Sequence, residues 1–426
     1  MDRLLIKGGT PLNGTIPVSG AKNSALKLMA ACLLTDQPLT LTNMPNLADT
    51  RFLSQLLASL GVEVYWPKGS SECHLNAAVL ASTIAPYEQV RKMRASFNVL
   101  GPLLARAGHA TVSLPGGCAI GARPVDLHLQ AFEAMGADLL IEEGYVKAAA
   151  IHGLKGAHIV FPFPSVGATE HAMLAATLAK GQTVLENGAC EPEIADLAEC
   201  LNMMGAKITG AGTSKIVIEG VSALKGGTYP VMADRIEAGT YAMAAAAAGG
   251  DVTLKGAPVG ALGAMIDVLR QSGVQIDSED SDTLRIRRDL AHPLKSVSVD
   301  TRPHPGFPTD LQAQFMALMA VADGTSVIRE NIFENRFMHA PELSRLGAKI
   351  TVRGKEAIVT GVERLKGARV MATDLRASVS LVIAGLVGAG ETEVNRIYHL
   401  DRGFERLEEK LTACGAHIQR LSADED

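Results

Sequence analysis

The stretch LPGGCAIGARPVDLH, residues 114–128, sets a thiol, Cys118, in a glycine-rich loop five residues before Arg123. An ordinary thiol has a pKa near ~8.5, so near neutrality it is mostly protonated and can act as an acid. Cations nearby lower that value and make the same group a nucleophile. The glycines allow the loop to approach a ligand closely, and Pro124 stiffens its exit. Cys32, Cys190, Cys200 and Cys414 lie in or beside apolar helices and read as small buried thiols. A second group with chemical potential is Asp310, in FPTDLQAQF at the start of an apolar helix. A carboxylate there can cap the helix or serve as a general base, and its position leaves both open.

Residues of this kind stand before all six apolar helices. The segments are SGAKN (19–23), KMRAS (92–96), PSVGATE (164–170), ADRIEAG (233–239), FPTDLQ (307–312) and ATDLRAS (372–378). Their Ser, Thr, Asp and small residues are those of helix N-caps, so a capped start is expected at each. A helix N-terminus carries free N–H groups and partial positive charge, and hence attracts anions. Lys22, Arg94 and Arg376 add full positive charges at such starts, an unfavourable placement unless an anion joins them. Three cases at equivalent positions point to an anionic ligand.

The elements that must hold these groups repeat. LASLGVEVYW, FEAMGADLLI, LNMMGAKITG, LRQSGVQIDS, LSRLGAKITV and LTACGAHIQR each read as a helix end, a glycine and a strand. The glycines are Gly61, Gly136, Gly205, Gly273, Gly347 and Gly415, spaced 68 to 75 residues apart. Six copies at a near-constant period mark internal repetition, and each glycine suits a left-handed helix C-cap. Each copy also holds a more apolar helix, among them HAMLAATLAK, TYAMAAAAAGG and SVSLVIAGLVGAG, apolar on nearly every side and therefore buried. The fold class expected is α/β, with six repeats divided three plus three into two domains whose buried helices are surrounded by outer sheets. The 426-residue length also favours two cores.

Composition narrows the function. Net charge is −5 with no basic tract, which argues against nucleic acid. No apolar stretch is long enough to span a bilayer, and the N-terminus lacks a signal-peptide pattern, so a cytoplasmic protein is expected. There is no CxxC pair and no HExxH spacing, so neither disulfides nor a metal is expected.

In order, SGAKN, MRAS, LPGGCAIGARPVDLH, SVGAT, EPEI, DRIEAGT, FPTDLQAQF, FENRFMH, MATDLRAS and RIYHLDRGFERL resemble the UDP-N-acetylglucosamine 1-carboxyvinyltransferases. These are the enolpyruvyl transferases that begin peptidoglycan synthesis. The likeness runs from about residue 3 to 421. It implies two inside-out α/β barrel-like domains, one of residues 22–233 carrying the Cys118 loop, the other of 1–21 with 234–426, and a site in the cleft between them. It further implies transfer of the enolpyruvyl group of phosphoenolpyruvate to the 3-hydroxyl of UDP-N-acetylglucosamine, with release of phosphate.

Residue by residue, the resemblance puts Lys22, Asn23, Arg123, Arg376 and Arg402 around phosphoenolpyruvate, a dianion or more that needs fixed cations. Arg402 could instead pair with Asp401. Arg94, Arg123, Pro124, Val125, Asp126, Leu127, Ser165, Val166, Gly167, Asp310 and Ile332 are placed on the nucleotide sugar. Cys118 is the acid or nucleophile, open to fosfomycin-type epoxides; Asp310 is the base; Lys22 and Arg402 assist. Arg336, His128 and His304 fall within the motifs, with ion-pair or core-polar roles equally open. Some family members carry lysines where this chain has Ala48 and Phe163, which bears on diphosphate binding and not on the chemistry. No cofactor, no macromolecular partner and a monomer are expected. Two other readings share these motifs or the fold: a catalytically idle paralogue that binds UDP-N-acetylglucosamine as a regulator, and the sister enzyme acting on shikimate 3-phosphate.

Overall fold

Helices that are apolar around their whole circumference need neighbours on every side. Lys22–Ala31, Leu100–Ala107, Val166–Ala176, Arg235–Ala248, Gln312–Met319 and Leu375–Val387 are these helices. Every residue of Arg235–Ala248 is buried. Its small side chains allow close packing: a Cβ on Gly239 would come within 2.6 Å of Leu311 Cδ1. Each buried helix leads into a strand and then into an amphipathic helix with one face on the core. These are Ala48–Ser59, Asp126–Ala134, Pro192–Met203, Gly263–Gln271, Ala340–Arg345 and Leu407–Ala413. The structure, a computed structural model, describes residues 2–116, 124–278 and 280–422.

Among the described residues the strands form six four-stranded sheets of one pattern. In the sheet of Gln182–Glu186, for example, His158–Val160 runs parallel on one side and Lys215–Glu219 antiparallel on the other, with Lys207–Thr209 beyond. The last repeat is completed from the other end of the chain. Arg3–Lys7 pairs antiparallel with both Glu391–Asn395 and His417–Leu421, placing Leu4 opposite Val394 and Ile6 opposite Ile418. Leu4 and Ile6 are fully buried while Lys7 is exposed, the period-2 pattern of a strand with one face on a core.

The chain divides into two compact units. Among the described residues one holds 2–19 and those from 233 onward, the other 20–116 and 124–232. Each has its own hydrophobic core. All six repeat glycines have φ between +85° and +105°, the left-handed conformation expected after the last helical turn. Among the described residues no helix is long and apolar enough to cross a membrane, and no cluster of His, Cys, Asp or Glu could hold a metal ion.

Capping differs from the expectation. Ser165, Asp234 and Asp374 do cap their helices through their side chains. The starts at Ala21, Met93 and Pro308 have no side-chain cap. At two of these, Arg94–Val99 and Thr309–Leu311, the chain enters through a 3-10 turn. Asp310 lies inside the second turn, past the N-cap position, so it is not a cap.

Gly205 has φ +105° and open space where a Cβ would stand. Gly205→Ala therefore tests backbone conformation without a steric clash. A loss of about 1 kcal/mol is expected in denaturant unfolding; no loss would remove the left-handed cap from the account of the repeat.

Candidate active site

In the unit holding residues 233–422, three buried helices pack against one another and bring their starts together. Arg235 opens one, Asp310 lies in the turn that opens the second, and Arg376 is in the first turn of the third. Arg336, from the loop after Asn331, reaches the same point. Its Nη2 donates to Asp310 Oδ1 at 2.7 Å, and Arg376 Nη2 lies 3.4 Å from Asp310 Oδ2. Both guanidinium side chains are about 95% buried, whereas the Asp310 side chain is 26% exposed. The arginines thus stand behind a carboxylate with an open face. Burial raises the Asp310 pKa, but Arg376, then Arg336 and Arg235, outweigh it and hold the carboxyl well below the usual range. Asp310 is ionised at neutral pH and can accept a proton, yet in this setting it is a weak base. Among the described residues Arg376 Nη1 is buried without a hydrogen-bond partner.

A buried carboxylate that the sequence reading passed over organises this region. Glu330 follows strand Thr325–Arg329 and is 1% exposed. Its Oε1 accepts from Thr301 Oγ1 at 3.0 Å and from the backbone N–H groups of Ile332 and Phe333 at 2.9 and 3.1 Å. Its Oε2 accepts from Thr309 Oγ1 at 2.9 Å. One side chain therefore fixes Thr309, next to Asp310, and Ile332, whose side chain is exposed on the surface. The only sequence signal was a charged residue at a strand end; its partners are up to 29 residues away. A cavity of about 300 Å³ lies in the same unit, lined by Arg235, His304, Pro308 and Leu311 among others. Arg402 is half-buried. Asp401, the alternative partner for Arg402, turns both carboxylate oxygens to Arg420.

In the other unit the equivalent helix starts carry Lys22, Arg94 and Ser165. Lys22 Nζ lies 2.7 Å from Asp49 Oδ2, and both side chains are at least nine-tenths buried. Asn23 follows in the same first turn and is half-buried. Lys22 and Arg376 therefore differ from the free cations that the sequence implied: each has a carboxylate, Asp49 or Asp310, because an uncompensated buried charge is costly. Arg94 Nη2 donates to the carbonyl of Pro124 at 3.1 Å, which joins Arg94 to the segment Pro124, Val125, Asp126 and Leu127 at the start of helix Asp126–Ala134. Ser165 Oγ accepts from Ala168 N at 3.4 Å. Val166 and Gly167 form the first turn of the next helix, where their N–H groups have no intrahelical acceptor.

Gly167 is also where the two helices touch. A Cβ there would lie 3.3 Å from His128 Cε1. His128 Nδ1 is 2.9 Å from His171 Nδ1, and Gly101 N donates to His171 Nε2 at 2.7 Å. Burial, with His128 and Lys27 nearby, pushes the His171 pKa well down, so this ring is neutral. With Nε2 accepting, its proton sits on Nδ1, which leaves His128 Nδ1 as acceptor and its Nε2 as the protonated nitrogen. A chain of hydrogen bonds starting at a backbone amide thus sets the tautomer of His128 beside Gly167.

Cys118 and Arg123 lie outside the described residues. The remaining cysteines are free thiols. Burial pushes Cys73 up to about 12 and Cys32 and Cys200 higher still, so none of these three is a thiolate at neutral pH.

Two outcomes follow from the carboxylates. Asp310→Asn should destabilise the protein by about 2–3 kcal/mol at neutral pH, since it leaves three guanidinium groups facing one another. A depressed carboxyl stabilises above its unfolded pKa and loses that contribution as pH falls through the folded value. The difference from the unmodified protein should therefore be complete above about pH 4 and shrink below it; a difference independent of pH would contradict this. Glu330→Gln should cost about 1–3 kcal/mol in thermal or denaturant unfolding, because the amide brings a donor among four donors; an unchanged midpoint would contradict the assignment.

A family model described as EPSP synthase (3-phosphoshikimate 1-carboxyvinyltransferase) matches residues 6–411. The chain is 78% identical to the UDP-N-acetylglucosamine 1-carboxyvinyltransferase of Hyphomonas neptunium over 427 residues, covering 100% of both. It is 65% identical to that of Caulobacter vibrioides over 426 residues, covering 100% of this chain and 99% of the relative. Among solved structures, the enolpyruvyl transferase NikO from Streptomyces tendae is 26% identical, with a TM-score of 0.88 and 99% of each chain covered. EPSP synthase from Acinetobacter baumannii, at 19% identity and TM-score 0.76 over 99% of this chain and 100% of that one, shares the fold. The six-repeat architecture, the match over residues 6–411 and these full-length relatives place the chain in the EPSP synthase family of enolpyruvyl transferases.

Proposed function

We propose that this chain transfers the enolpyruvyl group of phosphoenolpyruvate to the 3-hydroxyl of UDP-N-acetylglucosamine and releases phosphate, the first committed step of peptidoglycan synthesis. Full-length relatives at 78% and 65% identity bear that activity in their names. The observation that carries the reading to this chain's own residues is Arg376. It is buried, one face engages Asp310, and Nη1 has no hydrogen-bond partner among the described residues. A buried guanidinium with an unused donor is suited to a carboxylate or phosphate.

The chemistry is an addition followed by an elimination. The 3-hydroxyl gives its proton to Asp310 and its oxygen bonds to C2 of phosphoenolpyruvate. The π electrons of the C2–C3 bond take a proton onto C3, donated by the Cys118 thiol. The C2–O bond to phosphate then breaks, C3 loses a proton, and the double bond is restored in the product. Lys22, Asn23, Arg123, Arg376 and Arg402 balance the carboxylate and phosphate charges. Arg94, the segment from Arg123 to Leu127 and the helix start at Ser165, Val166 and Gly167 hold the nucleotide and diphosphate, with N–H groups and the positive helix end facing the anion. Ile332 supplies an apolar contact to the sugar.

Phosphate release tests this reading. The protein should release inorganic phosphate from phosphoenolpyruvate only when UDP-N-acetylglucosamine is present. Cys118→Ala should lower the rate by about 100-fold or more, the scale of a lost general acid. Tight nucleotide-sugar binding with no release, or an undiminished rate in the variant, would contradict it.

A further inference from the structure

The two oxygens of Asp310 are not equivalent. Arg336 holds Oδ1 through a short, direct hydrogen bond at 2.7 Å. Arg376 lies at 3.4 Å from Oδ2, too far for more than a loose ion pair, and its other terminal nitrogen is buried with no hydrogen-bond partner among the described residues. Arg235, at the start of its own helix, adds positive charge from the third side. A proton can be accepted only by an oxygen whose lone pair is available, and the loosely held one is Oδ2. The guanidinium that occupies it is also the one with an unsatisfied donor, so an incoming anion has most to gain there. Arg336 has its short bond to Asp310 and stacks 5.3 Å from the Phe333 ring, which leaves it less reason to move.

We propose that Arg376 is shared, pairing with Asp310 Oδ2 until the anionic enolpyruvyl donor binds and then passing to that donor, which frees Oδ2 as the proton acceptor while Arg336 keeps Oδ1 in place. The inference rests on the transferase reading above and assigns two parts within it. Arg336 is a positioning residue acting through Asp310. Arg376 joins donor binding to the readiness of the base. Before the donor arrives, the carboxylate offsets part of the arginines' charge and is a poor proton acceptor. Afterwards the donor's own charge takes over part of that neutralisation, and the basicity of Asp310 rises where the acceptor hydroxyl needs it. The step moves one proton, from the 3-hydroxyl to Oδ2, and requires no further reactant.

The test is a double-mutant cycle on equilibrium binding of phosphoenolpyruvate, measured by calorimetry without nucleotide sugar. Asp310→Asn removes the competitor for Arg376, so affinity should rise about tenfold, within the ordinary range of coupling between sites. In an Arg376→Gln background the same substitution should change affinity less than about twofold. Equal tightening in both backgrounds would mean simple charge repulsion between Asp310 and the donor, and would overturn the proposal, as would no tightening at all. A second measurement does not depend on Asp310→Asn folding well. Arg336→Lys, which keeps the charge but loses the fork, should lower kcat about tenfold and leave KM for phosphoenolpyruvate unchanged. A raised KM with kcat intact would place Arg336 on the donor instead. Absence of phosphate release by the unmodified protein would end the transferase reading itself. Normal release together with a cycle showing no interaction would end only this proposal.

Discussion

One carboxylate set against three guanidinium groups is the interaction on which the rest of this site depends. The starts of three buried helices meet in one unit, each with its positive end toward the same point, and Arg235 and Arg376 add full charges there. Such a cluster suits a small, highly charged anion but is costly when empty. Asp310 resolves that conflict. It offsets part of their positive charge, is held in place by Arg336, and keeps an open face. The same arrangement holds the Asp310 carboxyl well below the usual range, so in the proposed reaction anion binding and proton transfer are two aspects of one charge balance.

The repeat is what places these groups. One supersecondary unit, used six times, puts a helix start at six equivalent positions, and the residue types at those positions divide the work. In one unit they are Arg235, Asp310 and Arg376; in the other, Lys22, Arg94 and Ser165. The lysine is balanced by Asp49, as the arginines are balanced by Asp310. Ser165 instead caps its helix and leaves the first-turn N–H groups of Val166 and Gly167 for a ligand. The left-handed glycines after each amphipathic helix turn the chain back into a strand at the same point in every copy, so chemistry can vary at one end of the buried helices while the frame stays constant.

Much of this was legible in the sequence because it is local or periodic. The six glycines and the apolar helices follow from residue spacing alone. The cation positions Lys22, Arg94 and Arg376 were visible as charges at helix starts, and Arg94 does meet Pro124. What was not legible depends on tertiary pairing. Asp49 and Asp310 as counter-ions lie 27 and 66 residues from their partners, and nothing local announces the match. Asp310 looked equally like a cap because the sequence could not show three arginines converging on it. Glu330 escaped notice because its role appears only once strand, loop and turn are assembled around it. His128 was an open case until the hydrogen-bond chain through His171 to Gly101 set its proton.

This frame serves the nucleotide-sugar reaction of its relatives, and the sister reaction on shikimate 3-phosphate is the alternative it must be told from. The most direct measurement offers both acceptors at equal concentration with isotopically labelled phosphoenolpyruvate and identifies the labelled product by mass spectrometry. The account predicts label on UDP-N-acetylglucosamine, one enolpyruvyl group per phosphate released, and none on shikimate 3-phosphate. Label on shikimate 3-phosphate, or on neither acceptor, would contradict it.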